Sequence, residues 1–240
     1  MPHFYVNPKD INNNLFTVTD EQFHYLASVR RFNIGDEINI FDGLGNSFLA
    51  KITNINKNSL TGQILSKLPF ILPKIQVSLY TSIAKGERFE WLIEKSAEIG
   101  IFKIIPLITS RSVTTEISEN KFERYRKISI SASSQCGRAD IMSIEQPIKF
   151  MQAIDIVSKQ TNAINILPWE CEQTNIIDTL LQNIADIKNI NIFIGPEGGF
   201  EKAETEYAFK NNLHAVTLGK NILRIETASM VASVLVMKNL

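Results

Sequence analysis

Beyond Pro73 the chain alternates short apolar runs with segments of helical period, and this alternation most narrows what it can fold into. Continuous apolar runs suit strands buried on both faces, and helices between them supply the crossovers that a parallel sheet requires. The expected strands are Ile75–Ile83, Lys103–Leu107, Ala163–Leu167, Asn191–Ile194 and Ala215–Leu218. The expected helices are Glu87–Ile99, Asn120–Gln135, Phe150–Lys159, Ile176–Ile184, Lys202–Asn211 and Ile225–Lys238. In the first of these, Phe89, Leu92, Ile93, Ser96 and Ala97 form one stripe, as in an ordinary amphipathic helix. The last is apolar nearly all round from Ile225 to Met237, which predicts burial on several sides, within the fold or against a second subunit.

Residues 1–70 follow another pattern. Glu37–Phe41, Ser47–Ile55 and Leu60–Leu65 read as strands, with turn signals at Asp42–Asn46 and Asn56–Asn58. One helix, Glu21–Arg31, is expected behind an Asp20 N-cap, with Gly35 stopping the pattern. This resembles a small β-barrel with an inserted helix, and the link between Pro69 and Pro73 is expected to divide it from an α/β domain over 74–240. A hydrophobic content of 44%, with 14 Phe, is enough for two cores and excludes a mostly disordered chain.

Several function classes fall away on composition. No apolar run approaches the ~20 residues of a membrane span, and Met1-Pro2-His3-Phe4-Tyr5 begins no secretory leader, so a cytoplasmic location is expected. Cys136 and Cys171 are too few and too far apart for a disulfide framework, and His3, His24 and His214 show no metal-ligand pairing; no metal is expected. Net charge is zero, but residues 85–138 carry ten Lys or Arg against seven Glu, whereas 151–215 carry four against nine acids. That asymmetry fits a locally basic surface and equally well solvated helix faces.

Two segments can carry chemistry. Asn191-Ile192-Phe193-Ile194-Gly195-Pro196-Glu197-Gly198-Gly199-Phe200 is a buried-type strand entering a glycine loop, without the lysine of a Walker A loop or the GxGxxG spacing of a dinucleotide site. Leu218-Gly219-Lys220-Asn221-Ile222-Leu223-Arg224-Ile225-Glu226-Thr227-Ala228 is a second strand end with glycine that leads into the apolar last helix. Glycine loops at carboxyl ends of parallel strands let backbone N–H groups approach a ligand. Taken alone, the first also reads as a plain strand-to-helix turn, and Arg224 with Glu226 as a structural ion pair or helix-end charges.

Together these two segments resemble the ribosomal RNA small subunit methyltransferase E family, the 16S rRNA uridine-N3 methyltransferases of the SPOUT class. Lys85-Gly86-x-Arg88-x-Glu90, Lys95-x-Ala97-Glu98-Ile99-Gly100, Arg111-Ser112 and Gln135-Cys136-Gly137-Arg138 fall in the family's order. His24-x-Leu26-x-x-Val29, Gly35-Asp36 and Phe41-Asp42-Gly43-x-Gly45 match its N-terminal module. The chain departs from the family at Arg30, at Ser134 and in Leu167-Pro168-Trp169-Glu170, an altered Leu-His-Pro-Glu stretch.

The resemblance implies a PUA-like, RNA-binding barrel followed by a trefoil-knotted α/β domain that binds S-adenosyl-L-methionine. It also implies a homodimer acting on 16S rRNA or the small ribosomal subunit. Cofactor contacts are then expected from Leu167, Ile194, Gly195, Pro196, Glu197, Gly198, Gly199, Leu218, Gly219, Ile222, Leu223, Arg224, Thr227 and Ala228. RNA contacts are expected from Arg30, Arg31, Lys85, Arg88 and Arg111, with Arg124 and Arg126 either joining them or lying on a solvated helix face.

Methylation at uridine N3 requires removal of a proton and stabilisation of charge spreading to O2 and O4, a task that suits the planar fork of arginine. Arg138 and then Arg224 are the candidates, and Arg138 is expected on a loop away from any buried face. Glu226 is either the proton acceptor or an arginine's partner. Trp169 either covers the ligand or caps the core, and His24 is a packed histidine. Other readings are a SPOUT methyltransferase for another rRNA or tRNA base, and a catalytically silent RNA-binding protein.

Overall fold

A computed structural model describes residues 3–182 and 184–240. The chain divides into two compact units, one of residues 1–72 with 133–141 and the other of residues 73–132 with 142–240. The short return of 133–141 to the first unit has no counterpart in the linear division at the Pro69–Pro73 link.

The first unit contains β1 (His3–Tyr5), β2 (Ile11–Asn12), β3 (Leu15–Thr19), α1 (Asp20–His24), β4 (Glu37–Phe41), β5 (Ser47–Ile55) and β6 (Ser59–Leu68). The strands form one sheet in the order β1-β4-β5-β6-β3-β2. Strict alternation of side chains puts Phe16, Val18, Ile38, Ile40, Ala50, Ile52 and Leu60 into a common core with Leu26. The helix expected over Glu21–Arg31 is instead a short α-turn followed by a π-helical turn, Tyr25–Val29. Arg31 then takes a φ of 55°, so the helical run ends there, before Gly35. Asp20 itself sits at a φ of 56° and accepts the Thr19 hydroxyl.

The second unit contains β7 (Gln76–Ser82), α2 (Glu87–Ile99), β8 (Lys103–Ile108), β9 (Ser143–Ile144), β10 (Ile148–Lys149), α4 (Phe150–Val157), β11 (Ala163–Pro168), α5 (Ile177–Leu180), β12 (Asn189–Ile194), α6 (Lys202–Lys210), β13 (Leu213–Val216) and α7 (Ile225–Lys238). Helix α3 (Glu119–Cys136) begins in this unit, and its last turn belongs to the first. Asn183, within the helix expected over Ile176–Ile184, lies outside the described residues.

All pairings of this sheet are parallel, in the order β10-β8-β7-β12-β11-β13 with β9 beside β8. Period-2 alternation sends Leu79, Ile104, Ile166 and Ile192 to one face, where α2, α5 and α7 supply the cover. Tyr80, Ile105, Leu167 and Phe193 point to the other, which α4 and α6 cover. The α/β class and the barrel-type first unit match the expectation from sequence.

The buried residues of α2 are the predicted stripe, Phe89, Leu92, Ile93, Ser96 and Ala97. Gly100 stops this helix with a left-handed φ of 102°, and a Cβ there would come within 2.9 Å of Met237 on α7. Helix α7 packs on α2, α5, β7 and β12 and buries Ile225, Ser229, Ala232, Ser233 and Val236. No described helix is long and apolar enough to cross a membrane.

Candidate functional site

Because the sheet is parallel, successive strands deliver their carboxyl ends to one edge, where ligands of open α/β sheets bind. The register pairs Ile166 of β11 with Ile192 of β12 and Pro168 of β11 with Val216 of β13. Three loops therefore leave adjacent strands side by side, starting at Trp169 after β11, at Gly195 after β12 and at Thr217 after β13. These carry most of the residues expected to hold the cofactor, and α7 starts directly behind the third, with Arg224 as its N-cap.

Several details suit a ligand. Gly219 has a φ of 113° and nothing within 4 Å of the position where a Cβ would stand, so its backbone faces open space. Gly199 is also left-handed at 67°, and a Cβ there would lie 3.1 Å from Glu170 Oε1. Gly195 packs under Phe200, whose ring would be 2.9 Å from a Cβ. Glu170 and Glu197 are exposed carboxylates on the first two loops. Leu167, Ile194 and Pro196 are buried, Leu218, Leu223 and Ala228 half-buried, and Thr227 exposed. Ile222 is 90% exposed, an uncovered apolar side chain on the third loop.

Arginines tie the loops together. Arg88 Nη2 stands 3.5 Å from Glu197 Oε1 and Nη1 stands 3.9 Å from Glu226 Oε1, so one guanidinium spans the first glycine loop and the start of α7. Arg111 Nη1 donates to the Gly198 carbonyl at 2.7 Å, and its Nε lies 3.8 Å from Glu201. A Cβ on Gly198 would meet Arg111 Cδ at 3.3 Å, so the close neighbour of this glycine is a protein side chain. Sequence reading assigned Arg88 and Arg111 to phosphate; the structure engages both with the glycine loops. Lys85 is exposed, and its carbonyl accepts Arg88 Nε at 3.3 Å. Arg124 pairs with Glu90 at 2.7 Å, and Arg126 is exposed on α3.

A residue that sequence reading missed is Glu204, 4% exposed. Its Oε1 accepts the Ser110 N–H at 2.9 Å and the Ser110 hydroxyl at 3.2 Å, and its Oε2 accepts the Glu201 N–H at 2.8 Å. It thereby fastens the Arg111 loop to the start of α6. The Glu201-x-x-Glu204 spacing of a capping box was the available signal.

The remaining candidates lie in the first unit. Arg30 is exposed, with its guanidinium 5.6 Å from the Tyr25 ring centroid and its Nε donating to the Tyr25 hydroxyl at 3.1 Å. Arg31 is exposed beside it. Arg138 follows Gly137, which ends α3 at a φ of 80°, so it does lie on a loop. Its guanidinium is not open to solvent, however: the side chain is 11% exposed, and Nε and Nη2 grip Asp140 at 3.1 and 2.6 Å. Asp140 bridges to Gly43 and Leu44, and Gly45 N–H donates to the Ala139 carbonyl at 3.0 Å. Two motifs matched separately in sequence, around Gly43 and around Arg138, thus dock on each other. Among the described residues no cluster of three or more metal-ligating side chains occurs.

Comparison with known proteins agrees with this architecture. The RNA methyltransferase domain family matches residues 72–237, and the RNA methyltransferase PUA domain matches 18–65. The chain is 31% identical to ribosomal RNA small subunit methyltransferase E of Rickettsia conorii, covering 92% of this chain and 88% of that one. It is 32% identical to the Buchnera aphidicola subsp. Acyrthosiphon pisum protein of the same name, covering 97% and 91%. The structure of the Neisseria gonorrhoeae enzyme of that name bound to S-adenosyl methionine superposes with a TM-score of 0.84 at 27% identity, over 97% of this chain and 95% of that one. A methyltransferase from Legionella pneumophila, solved with bound cofactor SAM, gives 0.86 at 26%, over 99% and 97%.

Fold and site define an RNA methyltransferase with an attached PUA domain. Within that class, the chain belongs to the ribosomal RNA small subunit methyltransferase E family.

Proposed function

We propose that this protein transfers a methyl group from S-adenosyl-L-methionine to N3 of a uridine in 16S ribosomal RNA, in the cytoplasm. The observation that carries the reading is the convergence of three loops, two of them glycine-bearing, at the carboxyl edge of β11, β12 and β13. The fit to the cofactor is physical: bare backbone at Gly219, apolar residues at Leu167, Ile194, Leu218 and Leu223, and carboxylates at Glu170 and Glu197 beside a ligand that carries a sulfonium. When bound, the cofactor supplies an electrophilic methyl group.

The chain's own residues orient the acceptor and balance charge. Arg224, exposed at the N-terminus of α7, is assigned to face a carbonyl oxygen of the base, where charge develops as N3 loses its proton. Arg138 is the second candidate for that task, on the condition that it keeps or exchanges its Asp140 partner. Glu226 is assigned to hold Arg88, and the N3 proton leaves to solvent. Arg30 and Arg31, exposed in the PUA-like unit, with Lys85 are assigned to phosphate contacts, which fix RNA position without reading sequence.

The deciding experiment maps modified uridines in 16S rRNA from cells with and without this gene. Loss of one N3-methyluridine on deletion, and its restoration by the purified protein with S-adenosylmethionine, is the expected result. An unchanged N3-methyluridine level rejects the substrate. Loss of a different methylated base redirects the assignment within the class.

The protein is also expected to be a homodimer through its α7 face. Val234 on α7 and Trp91 on α2 are 50% and 45% exposed in the single chain, apolar side chains that a second copy would cover. Sedimentation at micromolar concentration should give twice the chain mass, and a monomer rejects the interface.

A further inference from the structure

The loop that follows β11 turns on one carboxylate. Glu172 Oε1 accepts the N–H groups of Gln173, Thr174 and Asn175 at 3.0, 2.8 and 3.1 Å and the Thr174 hydroxyl at 2.8 Å. Oε2 accepts the Asn175 side-chain amide at 3.0 Å. Five donors thus converge on this one carboxylate, four of them on Oε1. The Thr174 and Asn175 N–H groups, with the Thr174 hydroxyl, hold the carboxyl pKa down to about 2. Stabilisation of the turn is therefore full above the ordinary value of 4.5 and is lost as pH falls toward about 2.

Beyond the turn, the Asn175 carbonyl accepts the Thr217 N–H at 2.8 Å, while the Trp169 N–H donates to the Val216 carbonyl at 3.0 Å. The loop thus wraps the end of β13 from two sides. Thr217 Oγ1 in turn accepts the Gly219 N–H at 3.1 Å. A continuous path of hydrogen bonds runs from Glu172 through Asn175 and Thr217 to Gly219.

We propose that Glu172 is a positioning residue for the second glycine loop: it fixes the Gln173–Asn175 turn, Asn175 then fixes Thr217, and Thr217 holds Gly219 in the conformation that receives the cofactor. The proposal rests on the reading that Leu218 and Gly219 border S-adenosylmethionine. Glu172 touches no reacting atom, so its removal acts on cofactor affinity and loop order and leaves the chemical step at saturating cofactor unchanged.

The test uses the full chain in five forms: wild type, Glu172→Ala, Glu172→Gln, Thr217→Val and the Glu172→Ala/Thr217→Val double variant. S-adenosylmethionine affinity is measured by calorimetry, and amide hydrogen exchange is followed without cofactor. Glu172→Ala should raise Kd by about tenfold, the equivalent of losing one charge-assisted hydrogen bond, and should speed exchange at Thr217 and Gly219. Glu172→Gln, which keeps one acceptor oxygen, should fall between. The double variant should be no weaker than the weaker single one, because both cut the same path.

A folded Glu172→Ala protein with wild-type affinity and exchange overturns the proposal, and so does full additivity in the double variant. If the alanine variant does not fold, Glu172→Gln and Thr217→Val carry the same comparison. If wild type takes up no S-adenosylmethionine, the cofactor reading fails; unchanged exchange at Thr217 and Gly219 would then overturn the Glu172 link as well.

Discussion

Replacing Arg138 by alanine should lower the melting temperature of the first unit by on the order of 10 °C. The reason lies in what is left behind. Arg138 and Asp140 side chains are 11% and 13% exposed and form a two-point pair at 3.1 and 2.6 Å. Deleting one member of a pair so covered strands a carboxylate with little water, at a cost of up to about 3–5 kcal/mol. The loss spreads, because Ala139–Ile141 is bonded to the Gly43–Gly45 turn: Ile141 N–H donates to the Gly43 carbonyl at 3.2 Å. Lysine keeps the charge but not the fork, and should recover only part of the loss.

A catalytic Arg138 gives a different signature. If it stabilises the uracil anion, single turnover falls by roughly 10²–10³ in protein that remains folded, with cofactor affinity nearly unchanged. The grip on Asp140 favours the bracing role. Calorimetric melting and single-turnover methylation on one Arg138→Ala preparation separate the roles: lost stability with normal turnover removes Arg138 from the chemistry, and lost turnover with normal melting restores it.

Where the sequence was legible, one physical rule acted alone. The α2 stripe at Phe89, Leu92, Ile93, Ser96 and Ala97 follows from helical period, and α2 and α7 begin and end where that period places them. Strand ends obeyed other forces. The last strand was expected over Ala215–Leu218 but runs Leu213–Val216, since the Thr217 N–H leaves the ladder for the Asn175 carbonyl. The strands β1, β2, β9 and β10 were missed because two or three residues carry no readable alternation, and β3 was missed although Leu15–Thr19 alternates exposed and buried residues.

The site divides in the same way. Glycine after an apolar strand signals a loop with room for a ligand, so Gly195–Gly199 and Gly219 could be found. Long-range polar contacts are made by the tertiary fold: Arg88 with Glu197 and Glu226, and Ser110 with Glu204, join residues on which spacing is silent. That is why arginines assigned to RNA proved to be engaged with loops and carboxylates. Glu172 was invisible for a further reason, since its partners are mainly backbone amides.

Gly219→Val should weaken S-adenosylmethionine binding by roughly 10- to 100-fold while leaving the protein folded. Two effects act together at this residue. Its φ of 113° is one that a β-branched residue adopts only with strain, on the order of 1–3 kcal/mol, so the loop relaxes away from its present path. The added side chain also projects into space where no protein atom lies within 4 Å, which is the space assigned to the ligand. Because nothing in the protein is displaced, the global melting temperature should fall little, in contrast to Arg138→Ala. Gly219→Ala separates the two effects: it keeps much of the backbone strain with a smaller side chain, and should lie between wild type and valine. Gly198→Val is the complementary case, since its side chain would press on Arg111 Cδ, 3.3 Å from the Cβ, and act by dislodging that arginine from the Gly198 carbonyl. Calorimetric titration of the glycine variants with S-adenosylmethionine, alongside melting curves, provides the comparison, and a folded Gly219→Val protein with wild-type affinity would remove the second glycine loop from the cofactor site.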